Sequence, residues 1–158
     1  MQKIHPFLWF SDQAEQAMEF CLSVFKNSKR GQLVRYGEGG PGPKGSVMVA
    51  NFEIEGMEVT ALNGGPLFKF NESVSLVVRC DSQAEIDYYW ERLSADGGAP
   101  GHCGWLKDKF GLSWQVVSPQ IIEMITASGD PVRSQRGMAA MMKMHKLDIA
   151  AIKAACDG

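Results

Sequence analysis

A pattern of strand, capped helix and further strands occurs twice in this chain, seventy residues apart, and this repeat narrows the possible folds more than any other feature. Residues 3–10, KIHPFLWF, alternate as a strand does. SDQAEQAMEFCLSVF follows, with Ala14, Ala17, Met18, Cys21, Leu22 and Phe25 at helical spacing and Ser11 or Asp12 available as a cap. SLVVRC and DSQAEIDYYWERLSADGG repeat the arrangement, with Asp81 or Ser82 as cap and Gly97–Gly98 as the stop. The copies align without a gap: Gln13-Ala14-Glu15 falls on Gln83-Ala84-Glu85, and Phe20 on Trp90.

Further strands follow each helix. After the first come QLVRYGE, SVMVANFEI and MEVTALN, with GEGGPGPKG as a hairpin connection and a turn at Glu55–Gly56. After the second come a weak strand near GHCGWLK, a turn at DKFG and the strand LSWQVV. The spacing predicts an α+β fold of two βαβββ modules whose sheets curl around a cavity. The first covers residues 1–66 and the second, shortened, covers 67–119. Residues 120–158 form a C-terminal helical extension, with Asp130–Pro131 opening a helix, and the whole makes one structural domain.

Strand parity turns the repeat into a site. His5, Phe7 and Trp9 share one face of the first strand, and Ile4, Pro6, Leu8 and Phe10 the other. In the second module Ser75, Val77 and Arg79 oppose Val74, Leu76, Val78 and Cys80. The uniformly apolar faces should lie under the helices, and the mixed faces should look into the cavity. Setting Gly56 against Gly111 puts Thr60 opposite Gln115, with Glu58 and Leu62 sharing the face of Thr60, and Ser113 and Val117 that of Gln115. Trp114 then joins the core. His5, Thr60, Ser75 and Gln115 become equivalent positions facing one space, bordered by Phe7, Trp9, Leu62, Asn63 and Arg79 as ligand-binding candidates, with Phe68 and Phe70 as apolar lining.

PFLWF, ALNGGPLFKFN, CGWLKDKFGLSWQVV and the tail MKMHKLDIAAIKAA resemble the PhnB-like subfamily of the vicinal-oxygen-chelate superfamily, over nearly the whole chain. Many members carry the label 3-demethylubiquinone-9 3-methyltransferase. In metal-dependent branches of that superfamily, which include glyoxalases and extradiol dioxygenases, the ligands are His and Glu at positions matching His5, Thr60, Ser75 and Gln115. Only His5 fully meets that pattern here. Serine and threonine hydroxyls are poor ligands for divalent transition metals, and a glutamine carbonyl is a modest one. The incomplete set His5 and Gln115 implies at most weak divalent-metal binding. No cofactor is expected, and the expected partner is a small organic molecule. A metal-dependent isomerase, lyase or dioxygenase is the alternative.

Composition removes other classes. A net charge of -2 offers no general attraction for nucleic acid or anionic membrane, and no apolar run is long enough to span a bilayer. The residues before SDQAEQ do not form a signal peptide, and Cys21, Cys80, Cys103 and Cys156 are too scattered for a disulfide framework, so a cytoplasmic protein is expected. Cys103 beside His102 suggests a nucleophile and base, but neighbours in a strand point apart. LNGGP at residues 62–66 reads as a turn in preference to a phosphate cradle. GEGGPGPKG lacks the following helix that an S-adenosylmethionine site needs. Met138, Met141, Met142 and His145 form a stripe on the tail helix, suited to packing, and a homodimer is expected.

Overall fold

The parallel pairing of a first strand with the last strand of its own module organises both halves of the protein. The computed structural model describes residues 2–126 and 129–158. Two compact units emerge, Met1–Phe70 and Asn71–Gly158. In the first, β1 (Phe7–Phe10), α1 (Ala14–Val24), β2 (Ser28–Arg35), β3 (Val47–Ile54) and β4 (Met57–Asn63) form a sheet of order β1-β4-β3-β2. In the second, β5 (Ser75–Arg79), α2 (Gln83–Leu93), β6 (Ala99–Pro100), β7 (Trp105–Lys107) and β8 (Ser113–Val117) form a sheet of the same order, β5-β8-β7-β6. Helices α3 (Pro119–Thr126), α4 (Pro131–Met141) and α5 (Ile149–Asp157) complete it. Two βαβββ modules and a helical extension are therefore present, as the repeat predicts.

Each strand turn has a local cause. Glu55 and Gly56 both take positive φ, 47° and 80°, the type I′ geometry that suits the twist of a two-residue hairpin. This turn sets β3 on β4 so that Asn51 lies opposite Thr60. Helix α1 departs from expectation at its start. Neither Ser11 nor Asp12 caps it; instead the Asn63 side chain, at the far end of β4, accepts from the Ala14 amide at 2.8 Å. The same carboxamide donates to the Val47 carbonyl at 3.0 Å, and the Asn63 carbonyl accepts from the Tyr36 hydroxyl at 2.5 Å. One residue thus ties α1, β3 and the end of β2 to β4. Helix α2 is capped locally by Ser82, which accepts from the Glu85 amide, while the Glu85 carboxylate reaches back to the Asp81 amide. It ends at Leu93, short of the expected glycine stop.

The repeated Gln-Ala-Glu acquires a distinct role in the second unit. Gln83 donates to the Leu147 carbonyl at 3.0 Å and accepts from the Ile149 amide at 2.9 Å, holding the start of α5 against α2. Helices α4 and α5 approach closely at Gly137, where a β-carbon would lie 2.5 Å from Cys156 Sγ. The methionine stripe does not sit on one helix: α4 ends at Met141, and Met142 and His145 follow in the connection to α5.

The cores follow the parity argument with two exceptions. Phe10, Val78, Cys80 and Val59 are buried under the helices. Ile4 and Val74 are not: at 90% and 68% exposed, each precedes the first paired residue of its strand, so no sheet or helix covers it. Trp114 is buried, as expected, and its indole N–H donates to Asp108 Oδ2 at 2.9 Å. Asp108 Oδ1 accepts from the amides of Phe110 and Leu112 at 2.9 and 3.1 Å, so one buried carboxylate shapes the DKFG turn and clamps the core tryptophan.

Burial pushes the Asp108 carboxyl above its ordinary value, and the hydrogen bonds from Trp114, Phe110, Leu112 and Gly111 offset only part of that. The folded chain therefore holds this proton more tightly than the unfolded chain. Stability from this group is fully present below the unfolded value of about 3.9 and is lost as pH rises through the folded one. Asp108→Asn should cost ~1–3 kcal/mol, because its amide group faces donors instead of accepting from them. Denaturant melts across the acid range should show the wild-type margin over the variant widest at low pH; a margin that grows as pH rises would overturn this account.

Candidate functional site

In the first unit the site begins with a hydrogen-bonded chain across three neighbouring segments. His5 lies just before β1, Thr60 in β4 and Asn51 in β3. Thr60 Oγ1 donates to Asn51 Oδ1 at 2.9 Å, and the Asn51 amide nitrogen donates to the Gln32 carbonyl at 3.3 Å, which fixes the orientation of the amide. A threonine hydroxyl has one proton, so in its 3.2 Å contact with His5 Nε2 the ring must donate. The network thus assigns the proton of the neutral imidazole to Nε2 and leaves the Nδ1 lone pair for another group. His5, Thr60 and Asn51 line a cavity of about 550 Å³, with Glu58 and the paired Lys29 and Glu53 at its margin. Gly31 lets β2 come close to β3 here, since a β-carbon would lie 2.5 Å from the Asn51 carbonyl oxygen.

The second unit builds the corresponding pair with other chemistry. Gln115 Nε2 donates to Ser75 Oγ at 2.8 Å. The register explains the equivalence. Phe7 pairs with Thr60 in β1–β4, and Val77 pairs with Gln115 in β5–β8. His5 and Ser75 each lie two residues earlier, on the same strand face as those partners, so each reaches the polar side chain of the neighbouring strand. Ser113, opposite Ser75, is buried and its hydroxyl has no hydrogen-bond partner.

The remaining candidates are arranged differently. Trp9, Leu62 and Asn63 line another cavity of the first unit, about 830 Å³, together with Arg35, Tyr36 and Asp12. Trp9 donates its indole N–H to the Gly65 carbonyl at 2.9 Å, packs edge-on against Phe68, and leaves no room for a β-carbon at Gly64. The amides of Gly64 and Gly65 are bonded to the carbonyls of Phe10 and Ser11, so LNGGP is a turn whose N–H groups are already used. Phe70 packs on Phe10, on the core side. Phe7 is 59% exposed, and Arg79 is exposed at the end of β5. Sequence reasoning missed Asn51, although counting back from the Glu55–Gly56 turn puts it opposite Thr60. Among the described residues no group of three or more His, Cys, Asp or Glu side chains could hold a metal ion.

Comparison with known proteins places this geometry in context. Residues 2–117 match the family model described as 3-demethylubiquinone-9 3-methyltransferase. The PhnB protein of Bacillus cereus, which carries that label, is 36% identical; the match covers 74% of this chain and 99% of that one, with a TM-score of 0.68. Protein PA1353 of Pseudomonas aeruginosa is 20% identical over 75% of this chain and 98% of its own, with a TM-score of 0.61. The fosfomycin resistance protein FosX of Listeria monocytogenes, crystallised with Mn(II) and sulfate, shares the fold at 16% identity and a TM-score of 0.51, covering 75% of this chain and 91% of its own. No curated protein matches.

The proton assignment at His5 is open to direct measurement. Imidazole nitrogen shifts of the neutral wild type should show the proton on Nε2, and Thr60→Val should weaken that preference. A wild-type ring protonated on Nδ1 would mean that the His5–Thr60–Asn51 chain runs the other way.

Proposed function

This chain belongs to the PhnB-like family whose model is described as 3-demethylubiquinone-9 3-methyltransferase, within the vicinal-oxygen-chelate superfamily, and we propose that it binds a small organic molecule without a complete metal site. The observation that carries this reading is the doubled polar pair, His5–Thr60 and Ser75–Gln115, in matching register, at positions where the family resemblance implies His and Glu in metal-dependent branches. On this reading each pair presents polar groups to a ligand from its own unit: His5 Nδ1 accepts a hydrogen bond in the first, while in the second the Gln115 carbonyl accepts and the Ser75 hydroxyl donates. One imidazole, two hydroxyls and an amide do not fit a divalent transition ion, which needs thiolate, imidazole or carboxylate donors to be held firmly.

The methyl-transfer label lacks support at the residues that would carry it. An S-adenosylmethionine site of the usual kind needs a glycine loop between a strand and a helix. The glycine-rich stretch 37–45 instead joins the antiparallel strands β2 and β3. The strand-to-helix junctions at 11–13, 80–82 and 118 contain no glycine. Calorimetry with S-adenosylmethionine should give no saturable heat at micromolar concentrations, and a clear isotherm would restore methyl transfer as the leading activity.

Metal content tests the incomplete donor set. Protein purified without chelators should carry no stoichiometric zinc, nickel, iron or manganese. Metal in the wild type would favour a metal-dependent isomerase, lyase or dioxygenase.

A further inference from the structure

Away from the polar pairs, the second unit gathers soft donor atoms at one loop junction. Cys103 Sγ lies 3.7 Å from Met142 Sδ and 3.6 Å from the Met141 carbonyl oxygen. The rings of His102 and His145, from the same two segments, stack with centroids 4.5 Å apart. The backbone locks the two segments together: the Cys103 amide donates to the Met144 carbonyl and the Gly104 amide to the His145 carbonyl, both at 2.8 Å. His145 Nδ1 contacts the Gly101 carbonyl oxygen at 2.6 Å. A carbonyl only accepts, so Nδ1 carries the proton and Nε2 of the neutral ring keeps its lone pair, the arrangement common in metal-bound histidines.

The placement of Cys103 runs against local preference. Cys103 and Gly104 take φ of 55° and 84° in a turn closed by the Trp105 amide on the His102 carbonyl. Asparagine or glycine suits the first of these positions, and cysteine there is strained. The half-buried thiol lies against an exposed thioether. Cys21, Cys80 and Cys156 are buried, and burial pushes the Cys80 thiol up to about 12, so Cys103 is the accessible thiol.

We propose that Cys103 and Met142 form a site for a soft monovalent ion, Cu(I), with His145 as the third donor. Two sulfurs bound to one ion at about 2.3 Å and a near-tetrahedral angle stand about 3.8 Å apart, close to the separation already present. A thiolate and a thioether select Cu(I), whereas Zn(II) prefers several thiolate, imidazole or carboxylate donors, and among the described residues no group of three or more His, Cys, Asp or Glu is arranged to hold a metal ion. Binding replaces the thiol proton: a Cu–S bond forms, one proton is released to solvent, and no electron is transferred.

Titration of the reduced, full-length protein with Cu(I), in competition with a chromogenic Cu(I) chelator, tests this site. One equivalent should bind with release of about one proton. Cys103→Ser should weaken binding by ~100-fold or more, at least the upper end of what changes outside the ligand shell cost. Met142→Leu and His145→Ala should each weaken it measurably, and Met138→Leu, which alters an exposed methionine outside the cluster, should not. Thermal melts of every variant separate lost binding from lost folding. Failure of the wild type to compete, unchanged affinity in folded Cys103→Ser and Met142→Leu, or tighter binding of Zn(II) than of Cu(I) would each overturn the proposal.

Discussion

Parallel pairing between the first and last strands of each module is the constraint on which the rest depends. Parallel neighbours cannot be joined by a tight turn, so each module must carry its chain over the sheet, and an amphipathic helix does this while covering the apolar face. The pairing also fixes the register. With Phe7 opposite Thr60 and Val77 opposite Gln115, the residues two positions earlier, His5 and Ser75, come within hydrogen-bonding distance of the neighbouring strand. A slip of one residue would turn those side chains to the helix side and bring Trp114 out of the core.

The two units secure that arrangement by different means. In the first, Asn63 substitutes for a missing helix cap and reaches three other segments. In the second, Ser82 caps its own helix, while Asp108 organises the last turn around the indole of Trp114. The Asn63 bonds span 16 to 49 residues, whereas those of Ser82 and Asp108 join residues three and six apart. They meet buried backbone groups that would otherwise lose their water partners, and a lost partner costs more than an average hydrogen bond contributes. Polar residues that look like site candidates in a sequence can therefore be committed to the fold, and Asn63 is such a residue.

The legible part of the candidate site was the part set by period-two alternation. Parity alone separated Trp114 from Gln115 and set His5, Thr60, Ser75 and Gln115 on the mixed faces of their strands; the pairs His5–Thr60 and Ser75–Gln115 came from the parallel register. Asn51 required one further step, the register imposed by the Glu55–Gly56 hairpin. Ile4 and Val74 were misplaced because alternation says which face a side chain takes, but not whether pairing has begun there. The methionine stripe failed for a related reason: helical spacing persists on paper beyond Met141, where the backbone leaves the helix.

From its sequence alone the chain determined the order of elements, the duplication, the hairpin at Glu55–Gly56 and the faces of the strands, because each depends on neighbours within a few residues. Tertiary structure alone decided which side chains became caps and clamps. It placed the Asn63 carboxamide on Ala14, the Gln83 amide on Leu147, and Cys103 against Met142. Those partners are separated by 49, 64 and 39 residues. No local propensity encodes such a distance; only the pairing of the strands and the packing of the tail bring the groups together.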